Sequence, residues 1–191
     1  MTASWSEINW IGVFLIPLLT FWMPFSSWVT YAFYKEIREY FKKKKWYLPT
    51  AWTFGVVWFF IYAMVASGVF LFYNYEIGNF ARQNVTIFFT VWAANLFFSK
   101  MWPIIFFGLK RYGWAFFVAF LVAGTATVMA VFAAIEAYNN ESLIWITFGF
   151  LIPYIMWSYY ATYLSFVIWR YYKDPSKKKK SNRSLLERDN K

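Results

Sequence analysis

The residues able to do chemistry in this chain are few, because it contains no cysteine and no histidine. That removes disulfides, thiolate nucleophiles and the usual ligands for zinc, copper or haem iron. The long apolar stretches also lack Asp and Glu away from their ends, so the carboxylates of a proton relay or ion-coupled pump are missing. No general base or nucleophile constellation remains, and neither catalytic residues nor a metal site are assigned. What stands out is aromatic. Tyr154, Trp157, Ala161 and Ser165 fall on one helical face, just after Pro153, which should kink the helix. A large indole one turn from an alanine leaves a recess walled by a π-face, suited to a flat, apolar polycyclic ligand. Plain helix packing uses the same pattern.

Two polar residues interrupt the apolar runs. Lys100 lies two or three turns from the basic pair Lys110 and Arg111, so its stem can run along apolar surface while the ammonium reaches the headgroups. Its neighbour Asn95 is also polar, and the two together are by default an intramembrane functional hypothesis, against which the snorkelling reading is the stronger one. A row of small residues (Ala115, Ala119, Ala123, Thr127, Ala130 and Ala134) recurs at helical spacing and should pack closely on another helix.

The elements that must position these residues follow from composition. With 61% hydrophobic and 27% aromatic residues in 191, the chain has more apolar surface than a soluble domain of this size can bury. Five nearly uncharged stretches, about 10–34, 48–73, 85–108, 113–135 and 143–169, each have the roughly 20 residues that a membrane-spanning helix needs. They are apolar on every face, unlike the alternating strands of a transmembrane barrel. The first lacks a basic leader and is too long for a signal peptide's core. The expected architecture is an all-α membrane protein, a five-transmembrane-helix bundle over 1–172, followed by a basic disordered tail over 173–191.

Charge orients this bundle. Of 19 Lys and Arg, six lie in 35–45, two at Lys110 and Arg111, and nine from Arg170 onward. The opposite side has only Arg82 and an acidic fourth connection with Glu136 and Glu141. The positive-inside rule then puts the N-terminus on the non-cytoplasmic side and the C-terminus in the cytoplasm. The net charge of +10 therefore reflects span ends and tail, and no nucleic-acid partner is expected. Membrane lipid is the expected surrounding, with attraction of the tetralysine 177–180 to anionic headgroups secondary. The acceptor-like tripeptides at Asn84 and Asn140 adjoin spans and read as chance matches.

These residues resemble the translocator protein or tryptophan-rich sensory protein family (TspO/MBR, once the peripheral benzodiazepine receptor) over roughly 46–172. One signature is similar to Pro49, Trp52, Gly55 and Trp58, followed by Tyr62 and Met64. A second is similar to Trp102-Pro103, Phe106-Phe107-Gly108 and Tyr112-Gly113-Trp114-Ala115. A third is similar to Pro153-Tyr154, Trp157, Ala161, Leu164-Ser165 and Trp169-Arg170. Val56 and Val65 stand where the family has proline and glycine, and Ser99 and Ser165 where it has asparagines. The first stretch and the basic connection after it differ from the family's lid-bearing equivalents.

The resemblance implies a five-helix receptor or sensor that binds porphyrins, sterols or other flat apolar ligands in a Trp-lined cavity. It carries over Trp52, Trp114, Tyr154, Trp157 and Ala161 as ligand-binding residues. No cofactor is required; a haem-like tetrapyrrole or a sterol is a ligand. A homodimer is implied. The mitochondrial outer membrane, endoplasmic reticulum, other organelle membranes and the bacterial inner membrane all fit. Light-dependent porphyrin breakdown, associated with some members, would fall to Trp52 and Trp157, with the tetrapyrrole supplying the chemistry. A sterol or tetrapyrrole transporter and a non-catalytic helical interaction partner are the alternatives. A sterol-type pattern at 167–173 around Tyr171 is weak support.

Overall fold

In lipid every backbone N–H and C=O must be satisfied within its own segment, so long apolar runs become helices. The computed structural model describes residues 10–21, 51–76, 82–140 and 144–173, and among them there are five helices and no strand. These are α1 (Trp10–Phe21), α2 (Ala51–Glu76), α3 (Gln83–Pro103), α4 (Tyr112–Asn140) and α5 (Ile144–Lys173). The last four are long and apolar enough to cross a membrane; the described part of α1 is a shorter apolar helix. The remainder of the expected first span, the basic first connection and the tail from 174 lie outside the described residues.

The helices pack in the spatial order α1, α2, α5, α4, α3. The α2–α5 contact is close because of Gly68. A Cβ there would sit 3.4 Å from Phe150 Cβ and 3.5 Å from the Thr147 carbonyl, and Thr147 Oγ1 donates to the Gly68 carbonyl at 2.9 Å. Small residues let two backbones approach to this distance. Between α2 and α3 the contact is instead aromatic, with Phe72 and Phe88 stacked at 3.9 Å. The small residues of α4 face its neighbours as expected, with Ala115, Ala119, Ala123 and Ala130 buried. The line then bends: Ala134 is only half-buried, and Ala126, Ala133 and Ala137 are buried instead. Steps of four residues drift around a helix of 3.6 residues per turn, so a straight row in sequence becomes a curved face.

Helix ends differ from the expected spans where charge was taken as a stop. Glu76 and Glu136 lie inside α2 and α4, each 2% exposed, and the expected acidic connection is largely helix. They can be buried because Arg82, at the start of α3, places one Nη1 3.5 Å from a carboxylate oxygen of each. One guanidinium thus joins three helix ends. Arg82→Met would remove the shared donor from two buried carboxylates; a lost charge-assisted bond of this kind costs about 1.5–3 kcal/mol. A lowered detergent unfolding midpoint for Arg82→Met, partly recovered in Arg82→Lys, is the expected result.

At the other end of α3, Pro103 has no N–H to offer Ser99, and the helix widens into a π-turn over Ile104–Gly108. Leu109 N–H reaches the Ile104 carbonyl at 2.9 Å. Lys110 then takes a left-handed conformation (φ 51°) that turns the chain into α4.

Candidate functional site

The interior of the bundle holds an aromatic box between α2 and α5. Spacing of four residues sets Trp58 over Tyr62 on α2, and the two rings stack at 5.1 Å. Trp58 meets Trp157 edge-on at 6.3 Å and Tyr154 edge-on at 6.4 Å. Tyr62 lies 6.5 Å from Tyr154, and Tyr160 tilts against Trp157 at 5.3 Å. Trp58 and Trp157 are half-buried, whereas Tyr154 is 1% exposed. Edge-to-face geometry at these distances is what aromatic quadrupoles favour.

Polar groups back this box from α3. Asn95 accepts a hydrogen bond from the Tyr154 hydroxyl at 2.8 Å and donates to the Val122 carbonyl and Thr125 Oγ1 of α4. One turn on, Ser99 donates to the Leu96 carbonyl and interacts with the Tyr62 hydroxyl. Three residues before Asn95, the buried indole N–H of Trp92 has no hydrogen-bond partner among the described residues. Below the box, Ala161 is buried, its carbonyl accepting from Ser165 Oγ at 2.9 Å, and Ser165 in turn accepts from the Trp102 indole at 3.3 Å. Trp102 stacks on Phe106 of the π-turn at 5.0 Å.

Three of the sequence-assigned residues, Tyr154, Trp157 and Ala161, therefore follow one another along the inner side of α5. Trp52 lies on the first turn of α2, and its side chain is outside the described residues. Trp114 is not brought into the box: it is 62% exposed on α4 and meets Phe117 at 6.3 Å. The residue that sequence reasoning passed over is Trp58. Its signal was present, since it closes the second-helix signature and stands four residues before Tyr62.

Lys100 is half-buried in the last turn of α3. Under the ligand reading that the family resemblance implies, a snorkelling Lys100 gives a direct expectation: Lys100→Met leaves porphyrin affinity within about twofold, less than the tenfold loss that about 1.4 kcal/mol of lost contact would produce. Titration of ligand against both proteins checks this.

No groups of three or more metal-binding side chains occur among the described residues, and the box is built from π-faces with a few hydroxyl and amide groups. Such an arrangement can hold a flat apolar ring by stacking and apolar contact. Fold and site together define an all-helical integral membrane protein with an aromatic-lined interior. The TspO/MBR family model matches residues 13–170, and the chain belongs to that family. Translocator proteins of sheep (Ovis aries) and human (Homo sapiens) are each 30% identical to it, over 121 and 123 residues, covering 61% of this chain and 70% of theirs. The pig protein (Sus scrofa) is 29% identical over 123 residues with the same coverage.

Proposed function

We infer that this protein is a membrane receptor or sensor that takes up porphyrins, sterols or other flat apolar ligands between α2 and α5. The observation that carries the reading is the box of Trp58, Tyr62, Tyr154 and Trp157 above a small residue, Ala161. Two half-buried indoles can part around a planar ring and stack on it, while Ala161 leaves depth beneath. Family membership supports the same reading. Titration of the reconstituted full chain with a free-base porphyrin should give saturable quenching of tryptophan fluorescence. Linear, non-saturable quenching would instead mark partition into lipid and leave a transport or scaffolding role that does not use this box.

The five-span arrangement, with the N-terminus non-cytoplasmic and the tail cytoplasmic, belongs to the same proposal. It is supported by the distribution of Lys and Arg. In sealed vesicles of known sidedness, protease added to the cytoplasmic face should remove the tail; removal only from the opposite face would reverse the orientation.

A further inference from the structure

The hydrogen bonds around Asn95 run in one direction. Its amide nitrogen donates to the Val122 carbonyl at 3.0 Å and to Thr125 Oγ1 at 2.8 Å. A hydroxyl has a single proton, and that of Thr125 is engaged by its own helix, where Oγ1 lies 2.7 Å from the Leu121 carbonyl. Thr125 can therefore only accept from Asn95. With both acceptors of the amide nitrogen on α4, the amide oxygen must face the Tyr154 hydroxyl, which donates to it at 2.8 Å. The phenol's one proton is thereby committed. The Tyr154 oxygen then has only lone pairs to offer, and it shares them with the Ser158 hydroxyl one turn on.

We propose that Asn95 is a specificity-determining residue: by taking the Tyr154 proton it makes the box favour flat apolar ligands that carry an N–H or O–H donor over isosteric ligands that lack one. This rests on the ligand-binding reading above. Tyr154 is 1% exposed, so a ligand reaches its oxygen when Trp58 or Trp157 turns aside. An acceptor placed there meets lone pairs in a medium of low dielectric, where an unmatched polar group is costly. Asn95 acts here as a positioning residue, and Tyr154 makes the contact.

Two matched ligand pairs test this on the full chain in lipid nanodiscs. One is a porphyrin carrying a peripheral 1-hydroxyethyl group against its acetyl analogue, the same flat ring without the hydroxyl proton. The other is a sterol against its 3-ketone. The parent should prefer the donor-bearing member of the pair it recognises by about tenfold or more, or about 1.4 kcal/mol, and the pair that discriminates identifies the ligand class. In Tyr154→Phe, which keeps the ring, the ratio should fall to about twofold or less; in Asn95→Leu, which frees the hydroxyl to donate, it should fall likewise or reverse in favour of the ketone. Equal affinities within both pairs for the parent, or a ratio that survives both substitutions, overturns the proposal while leaving the box a binding site. Absence of saturable binding by all four ligands overturns the binding reading and this inference with it. Should Asn95→Leu fail to fold, the ratio in Tyr154→Phe decides alone.

Discussion

Ala161→Phe should reduce porphyrin binding at least about a hundredfold, equivalent to about 2.7 kcal/mol, while the protein still folds. Ala161 lies one turn beyond Trp157 on α5 and is buried, so a phenyl ring introduced there projects into the space that a planar ligand would occupy beneath the indole. Phe is only modestly poorer than Ala as a helix former, and overpacking of a buried site costs about 1–3 kcal/mol. Binding should thus be lost from a protein whose thermal unfolding is lowered only modestly. If the alanine served packing alone, destabilisation would dominate and affinity would fall only as folded protein is lost. Trp157→Phe is the companion change. It keeps an aromatic wall, so affinity should fall modestly, whereas any light-driven porphyrin breakdown should fall further because the more readily oxidised indole is gone.

Ala123→Phe should have the opposite profile, with the bundle itself failing. Ala123 is 0% exposed on α4, the helix that packs against both α3 and α5. A ring in place of a fully buried methyl overpacks the site, and separating the helices would also disturb the Asn95 bonds to Val122 and Thr125 on the adjoining turn. A loss of about 3 kcal/mol or more, the upper end for overpacking, is expected. The measurement is thermal unfolding in detergent by far-UV circular dichroism with size-exclusion recovery. An unchanged midpoint would place this face against lipid.

Much of this architecture was legible because lipid leaves the backbone few choices. Uniformly apolar runs longer than a membrane is thick had to be helices, and helices occupy the described parts of all five runs. The errors came from treating charge as a boundary. Glu76 and Glu136 extend α2 and α4 because Arg82, distant in sequence from Glu136, shares its guanidinium between them; no local pattern announces that pairing. The inner side of α5 was readable from spacing, since Tyr154, Trp157 and Ala161 share a helical face. Trp58 was harder, because its importance comes from a neighbour on another helix, and Trp114 shows the converse. It matched a family motif, yet its position on α4 turns it outward. Asn95 was visible as a polar residue at membrane depth, but its role depends on Thr125 and Tyr154, reached only through the packing of α3, α4 and α5.

The central claim, that a flat ligand sits against Trp58 and Trp157, can be read directly from photo-oxidation. A bound porphyrin generates oxidants locally, so brief illumination of the loaded protein followed by peptide mass spectrometry records which indoles lie beside it. At substoichiometric porphyrin, oxidation should concentrate on the half-buried Trp58 and Trp157 and be suppressed in Ala161→Phe. Oxidation that instead follows exposure, favouring Trp114 and Trp145 and persisting unchanged in Ala161→Phe, would contradict the account.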